Sequence, residues 1–147
     1  MTTFIINVVA WVVAGTIVGT WRARQSLEGV ARMGPCTRLR SFERNGELYV
    51  RVFRVRAWKR LVPEAGTWFG GMSKRRLPNV HEGGLQRLAV ESLRAEKTHL
   101  TTLAVTPVFV LWNDPVPFLA NVCFSLVVNV PPIVVTRFNR HRLARLA

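Results

Sequence analysis

Acidic residues are scarce in this chain, which has 8 Asp and Glu against 21 Lys and Arg and a formal net charge of +13. So positive a chain indicates a polyanionic partner, either nucleic acid or an anionic lipid surface. No helix-turn-helix, RNP or zinc-finger pattern accompanies the charge, so we expect no nucleic-acid partner. The apolar runs lie towards the two ends, and the cations fill the middle and the C-terminal tail. This separation favours anionic membrane lipids, although the charge could serve only to set membrane topology.

Cysteine is also rare, with Cys36 in the basic middle and Cys123 inside an apolar run. Two cysteines placed in this way give no disulfide framework, and no CxxC or CxxH pair suggests a structural zinc site. His81-Glu82 lacks the second histidine at helical spacing that a zinc-binding helix requires. Phosphate-binding loops of the GxGxxG or GKS/T type are missing as well. We therefore predict no bound metal and no bound cofactor.

Three apolar segments predict a mainly α-helical, integral membrane protein that forms one membrane domain over residues 1–147. The first span, 4–21, would be about 27 Å long as a helix, close to the roughly 30 Å of a bilayer core. It has no basic residue before it and no Ala-x-Ala cleavage site after it, which argues against a cleaved signal peptide. The third span, 116–136, would be about 32 Å long.

The second span is expected within 91–112, where a polar amphipathic helix leads into the apolar segment Leu100 to Trp112. This segment is too short to cross alone, so it needs the last turn of the preceding helix or a locally thinner bilayer. Pro107 should kink it, and Pro131-Pro132 should break the cytoplasmic end of the third span.

The basic flanks set the predicted orientation. Residues 22–24 and the basic tail 137–147 both follow apolar spans, and cations remain on the cytoplasmic side. The prediction is a multi-pass cell-membrane protein with three spans, the N-terminus outside, the C-terminus inside and most loops cytoplasmic.

The region 22–90 is predicted to be basic and interfacial, and to contain a short β element between Ser41 and Lys59. Asn45-Gly46 is typical of a two-residue hairpin turn. The following residues alternate imperfectly between valines and arginines, as in a strand with one basic face.

Candidate catalytic residues lie at the start of the second span. On a helix, Glu96 and His99 are three residues apart and can touch. Glu91, Glu96 and His99 fall within an arc of about 140°, so one broad groove could hold all three. A histidine beside a carboxylate is held in one tautomer and made more basic, which suits a general base acting on a hydroxyl. We therefore predict His99, Glu96 and Glu91 as catalytic residues.

Candidate binding residues flank this groove. Arg94, Arg137 and Arg140 could hold the phosphates of an acyl donor or a developing oxyanion, and Asn129 could donate a hydrogen bond to the same oxygen. The alternative is that the Glu91–Arg94 and Glu96–His99 pairs are ordinary surface helix pairs. Asn129 would then simply join two helices.

Several segments, taken in order, resemble one family, the glycosyl-4,4'-diaponeurosporenoate acyltransferases of the staphyloxanthin type of carotenoid pathway. The resembling segments are Arg56-Ala57-Trp58-Lys59, Pro63-Glu64-Ala65-Gly66, Ser73-Lys74-Arg75-Arg76, Glu91-x-x-Arg94-Ala95-Glu96-x-x-His99, Asn129-x-Pro131 and Arg137-Phe138-Asn139-Arg140-x-Arg142-Leu143. The resemblance implies transfer of a fatty acyl group to a sugar hydroxyl of a glycosylated membrane lipid. Trp58, Lys59 and Asn139 are also predicted to bind substrate, and no residue role is carried over from the family.

The sequence leaves two functions open. The first is an O-acyltransferase that uses an acyl-CoA-like donor from the cytoplasm and a glycolipid acceptor from the bilayer. The second is a non-catalytic small subunit that packs on a larger membrane enzyme or transporter. Gly15-x-x-x-Gly19 allows the close helix contact that a homo- or hetero-oligomer would use.

Overall fold

Three long helices dominate the computed structural model, which describes residues 1–62 and 84–146. The α-helices of these residues are α1 (Thr2–Ala23), α2 (Leu27–Ala31), α3 (Glu47–Arg51), α4 (Val55–Trp58), α5 (Gly84–Val105) and α6 (Pro115–Leu143). Short 3-10 helices cover Ser41–Gly46, Lys59–Leu61 and Thr106–Leu111. The mainly α-helical class is confirmed for this part of the chain.

Among the described residues, two helices, α1 and α6, are long and apolar enough to cross a membrane, rather than the three that the sequence predicts. Their outer faces are apolar, with Val12 63% and Val127 72% exposed. The predicted second span is not an apolar helix of spanning length. α5 is charged in its first half and ends at Val105, two residues before Pro107, and the chain continues as a 3-10 helix. Proline has no N–H to continue the α-helical pattern, which is why the interruption falls there.

The predicted break at Pro131-Pro132 is wrong, because α6 runs through both prolines to Leu143. The first residues of the predicted tail are therefore helical. Asn129 binds α5 before the prolines, and Arg137 binds α5 after them. Since both halves of α6 are fixed to the same neighbour, we attribute the continuation of the helix to these contacts, which outweigh the backbone hydrogen bonds that the prolines cannot make.

The predicted β element is also wrong: Ser41–Gly46 is a 3-10 helix, and α3 and α4 follow it. The turn itself is there, since Arg44, Asn45 and Gly46 all have positive φ, at 47°, 54° and 92°. Helical segments flank it because Glu43 and Tyr49 both turn inward, with 2.6 Å between the tyrosine hydroxyl and the carboxylate. Tertiary contacts thus override a local strand preference.

Polar contacts fix the three long helices along their length, with α5 antiparallel to α1 and α6. At one end, Asn7 Nδ2 donates to Asn113 Oδ1 at 2.8 Å. Further along, Thr106 Oγ1 and Ser125 Oγ are 2.6 Å apart. At the other end, Arg22 Nη2 donates to Thr101 Oγ1 at 2.8 Å. The charged first half of α5 and the charged C-terminal end of α6 therefore meet at the same end of the bundle.

Candidate functional site

A buried carboxylate lies where the charged ends of α5 and α6 meet. Glu96 on α5 is fully buried. Arg137 Nη1 donates to Glu96 Oε1 at 2.8 Å, and Arg140 Nη1 donates to Oε2. Both oxygens of Glu96 are thus bound by cations of α6, and within the described residues no hydrogen bond joins Glu96 to His99.

The guanidinium of Arg137 is engaged on every side. Its Nε donates to Glu43 Oε1 at 2.8 Å. Its Nη1 also donates to the Cys36 carbonyl at 2.8 Å, and its Nη2 donates to the Arg38 carbonyl at 3.0 Å. A guanidinium has five N–H groups in a fixed fork, and these contacts, with that to Glu96, use all its edges. In this arrangement Arg137 anchors the segment after α2 to α6, rather than presenting donors to a phosphate.

Glu43 is the second buried carboxylate of this end, and it collects hydrogen bonds from three further groups. Its oxygens accept from the Tyr49 hydroxyl at 2.6 Å, His141 Nε2 at 2.8 Å and the Arg40 amide at 2.8 Å. Burial acts to raise the pKa of Glu43, but these hydrogen bonds and that from Arg137 outweigh burial and lower the pKa to about 2. Burial and the bond to Glu43 raise the pKa of Tyr49 to about 12. Glu43 is therefore ionised, and Tyr49 protonated, over the whole physiological range.

Sequence reasoning missed Glu43, Tyr49 and His141. Glu43 and His141 are 98 residues apart in the chain, so no spacing rule connects them. The one local signal was the position of Glu43 in a strongly basic chain, where a carboxylate is expected to pair with distant cations.

His99 is held by an amide of α6. Its Nδ1 lies 3.0 Å from Asn129 Oδ1, and Asn129 Nδ2 donates to the Ser125 carbonyl at 2.9 Å. The carbonyl can only accept, so the NH₂ of Asn129 must face it and the amide oxygen must face His99. In the neutral imidazole, Nδ1 then carries the hydrogen and the lone pair lies on Nε2. An imidazole with a fixed tautomer and a basic Nε2 is the form that a general base needs.

Glu91 and Arg94 form the ion pair that their spacing permits, with 3.1 Å between Arg94 Nη1 and Glu91 Oε1. Arg94 Nη2 also donates to the Gln25 carbonyl at 2.9 Å. This pair therefore ties α5 to the segment that follows α1. Both side chains are largely buried, so the pair differs from an ordinary solvated surface pair.

Lys59 lies beside α6, with its ammonium 5.3 Å from the centre of the Phe138 ring. Burial lowers the pKa of Lys59, and neighbouring cations lower it further. Those cations are Arg142, Arg56 and Arg60. Lys59 and Arg142 both lie over the Phe138 ring, and Arg56 and Arg60 lie near Lys59, so this corner carries a strong excess of positive charge.

The remaining candidate binding residues, Trp58 and Asn139, lie outside the ion pairs described above. Trp58 is half-buried, and its indole Nε1 donates to the Phe53 carbonyl at 2.7 Å. Asn139 is half-buried on α6 beside the buried Phe138. The His81-Glu82 pair, which the sequence argues against as a metal site, and the segment Ser73 to Arg76 lie outside the described residues. Within the described part of the chain, no three His, Cys, Asp or Glu side chains gather as a metal ion would require.

The chain matches a family model described as glycosyl-4,4'-diaponeurosporenoate acyltransferase over residues 36–147. That range contains every residue of the buried cluster and the His99–Asn129 pair, whereas α1 precedes it. No solved structure matches the chain.

Curated relatives give the same description. A glycosyl-4,4'-diaponeurosporenoate acyltransferase of Staphylococcus haemolyticus is 31% identical over 104 residues, which cover 70% of this chain and 60% of the relative. One of Staphylococcus aureus (strain bovine RF122 / ET3-1) is 28% identical over 109 residues, which cover 72% of this chain and 64% of the relative. The chain thus spans about three fifths of the length of these relatives.

Proposed function

Because the chain belongs to the glycosyl-4,4'-diaponeurosporenoate acyltransferase family, we propose that it is a membrane O-acyltransferase. It moves a fatty acyl group from an acyl-CoA-like donor to a sugar hydroxyl of a glycosylated membrane lipid. The names of the relatives favour a glycosylated diaponeurosporenoate as this acceptor, and another glycolipid is the alternative. The observation that carries the proposal is the His99–Asn129 pair, which provides a base with a fixed tautomer between α5 and α6.

We place the protein in the cell membrane, with α1 and α6 spanning it. The segment between Thr101 and Asn113 crosses the same layer, although it is not a long apolar helix. It begins beside Arg22 and ends beside Asn7, near the two ends of α1. A 3-10 helix rises about 2.0 Å per residue against 1.5 Å in an α-helix, so its 3-10 portion lengthens this short segment. With cations after α1 and at the end of α6, the N-terminus lies outside and the C-terminus inside.

In the proposed reaction, His99 Nε2 takes the proton of the acceptor hydroxyl as the hydroxyl oxygen attacks the acyl carbon. A new ester C–O bond forms, and the thioester C–S bond of the donor breaks. The departing thiolate takes the proton back from the imidazolium, so the histidine returns to its starting state. Asn129 acts through His99 as a positioning residue, and its fixed amide oxygen supports that role.

We assign a structural role to the buried ion pairs, which hold the helices in place around His99. Glu96 with Arg137 and Arg140, and Glu91 with Arg94, fix the helices rather than touch the substrate, because their charged atoms already bind one another. This assignment revises the binding roles predicted for the three arginines.

The donor is assigned to the corner around Lys59, where Trp58 and Asn139 are neighbours. Its excess of positive charge suits the phosphates of an acyl-CoA-like molecule. Nine residues of α6 separate Asn129 from Phe138, which is about 14 Å along the helix. A donor with a long flexible arm can place its phosphates at one point and its thioester at the other.

Lipid mass spectrometry of membranes with and without the intact protein tests the proposed function. A glycolipid that gains a fatty-acyl mass only when the protein is present supports the enzyme. A non-catalytic subunit predicts no such product from the purified protein. In that case bulky residues at Gly15, where a Cβ would meet no atom of the described residues within 4 Å, would disrupt a complex with the larger partner.

A further inference from the structure

α5 carries a second polar stripe, facing away from His99. Arg94, Lys97 and Thr101 follow one another at spacings of three and four residues, so they share one face of the helix. Lys97 and His99 are two residues apart and point about 160° away from each other. Arg22, at the end of α1, donates from Nη2 to Thr101 Oγ1 at 2.8 Å. Arg22 therefore lies against the turn of α5 that Lys97 begins.

Two cations at this face of α5, Arg22 of α1 and Lys97, have no counter-charge among the described residues. The two nearby acids of α5 already have cationic partners. Glu91 pairs with Arg94, and Glu96 pairs with two arginines of α6. Arg22 and Lys97 form no ion pair with any residue that the structure describes. Lys97 Nζ donates to the Val30 and Arg32 carbonyls, at 2.7 Å each, and carbonyl oxygens supply orientation without a formal negative charge.

The nitrogen atoms themselves give a second, independent indication. The Nε–H groups of Arg22 and Arg94 are buried and have no hydrogen-bond partner among the described residues. Buried donors are normally satisfied, so two unpaired N–H groups on guanidiniums that both bind Gln25 mark a region short of acceptors. Burial lowers the pKa of Lys97, and the charges of Arg22 and Arg140 lower it further. An anion beside Arg22 and Lys97 would relieve this repulsion.

The depth of the stripe indicates what kind of anion could reach it. The Arg22 guanidinium lies 4.1 Å from the centre of the Trp21 ring, and tryptophans at the ends of membrane spans lie at headgroup level. Arg22 is also in the last turn of the apolar helix α1. The unmatched cations are therefore at the level where phospholipid phosphates lie.

We propose that Arg22 and Lys97 bind a phosphate group at the inner surface of the membrane. The phosphate is carried either by an anionic phospholipid of the inner leaflet or by a soluble acyl-CoA-like molecule. The site is separate from His99 and does not depend on acyl transfer.

Native mass spectrometry of the full chain in detergent micelles tests the site. Phosphatidylglycerol, phosphatidylcholine and palmitoyl-CoA are titrated separately, and the number and affinity of bound molecules are read for each variant. The double variant Arg22→Gln/Lys97→Gln removes both unmatched cations. Arg24→Gln/Arg87→Gln is the matched control, because it removes two exposed cations, one directly after α1 and one on α5.

If the site is a lipid site, R22Q/K97Q weakens phosphatidylglycerol binding by about tenfold or more, as expected for two charges at the membrane surface, and R24Q/R87Q changes it less than about threefold. If the phosphate belongs to a soluble molecule, the same contrast appears with palmitoyl-CoA instead. Equal losses in the two double variants, or no loss in either, overturn the proposal. Should R22Q/K97Q fail to fold, Lys97→Gln alone is read in the same way, since it removes only a cation held by two carbonyls.

Discussion

The guanidinium of Arg137 binds the carboxylate of Glu43 across 94 residues of sequence, with 2.8 Å between Nε and Oε1. The same guanidinium binds Glu96 on α5. One side chain of α6 therefore joins the segment after α2 and the helix that carries His99. These contacts of Arg137 form a rigid frame at the end of the bundle where the charged parts of α5 and α6 meet.

Arg137→Gln should destabilise the protein strongly. The substitution leaves two buried carboxylates short of a cation, and breaking one partner of a buried ion pair costs about 3–5 kcal/mol. Reversible unfolding in detergent micelles, followed by circular dichroism, measures the effect. Arg142→Gln is the control, because Arg142 is an exposed cation on the same helix and its loss should stay within about 0.5 kcal/mol. Equal small effects of the two substitutions would show that the buried frame contributes nothing.

Tyr49 should keep its proton to unusually high pH. It is the one tyrosine of the chain, so phenolate absorbance reports on it alone, and the folded protein should titrate near its pKa of about 12. Because this pKa lies above the ordinary value of 10.0, its contribution to stability is complete below pH 10 and is lost as the pH rises towards 12. Glu43→Gln should move the midpoint down towards 10. A midpoint near 10 in the unmutated protein, while the helical signal stays native, contradicts the burial of the Tyr49–Glu43 pair.

Asn129→Ala should lower the rate of acyl transfer without preventing insertion. The substitution frees the His99 tautomer, so kcat should fall by about tenfold to a hundredfold, with little change in the acceptor KM. Asn121→Ala is the matched control. Asn121 is also a buried amide of α6, but it accepts from Trp11 Nε1 at 2.8 Å and does not contact His99. If both substitutions lower kcat equally, Asn129 is only a helix–helix contact.

The two native cysteines should report the membrane placement. Both are exposed on the surface of the described chain, but Cys123 lies in the apolar part of α6 and Cys36 lies beside the charged end. A membrane-impermeant maleimide should label Cys36 in inside-out vesicles and not in right-side-out vesicles. Cys123 should react only after detergent is added, and C36S and C123S variants assign the signals. Rapid labelling of Cys123 in intact vesicles would contradict a membrane position for α6.

The long apolar runs made α1 and α6 predictable, because a helix is the structure that satisfies its own backbone in an apolar surrounding. Local rules failed where distant contacts compete with them. Pro131-Pro132 does not end α6, since Asn129 and Arg137 bind α5 on either side of the prolines. The Asn45-Gly46 turn was found, but Glu43 and Tyr49 are drawn inward, and the flanking residues become helical rather than extended.

Only part of the candidate site could be predicted, because local spacing does not reveal contacts between distant segments. Glu91–Arg94 follows from helical spacing and is present. The partners of Glu96 and His99 lie on α6, so no spacing within α5 could identify them. Glu96 binds the two arginines instead of supporting His99, and the orienting group of His99 is an uncharged amide. Pairs that form only through tertiary packing leave no periodic trace in a sequence.

The most direct test of the account is acyl transfer by His99→Ala in proteoliposomes that contain a long-chain acyl-CoA and the glycolipid acceptor. Thr102→Ala, one turn along α5, is the control for an altered helix surface. The account predicts that H99A inserts and unfolds like the unmutated protein and loses about a hundredfold or more of the acylation rate, while T102A stays near the normal rate. If H99A acylates the glycolipid within a few-fold of the unmutated rate, His99 is not the base and the proposed mechanism is wrong.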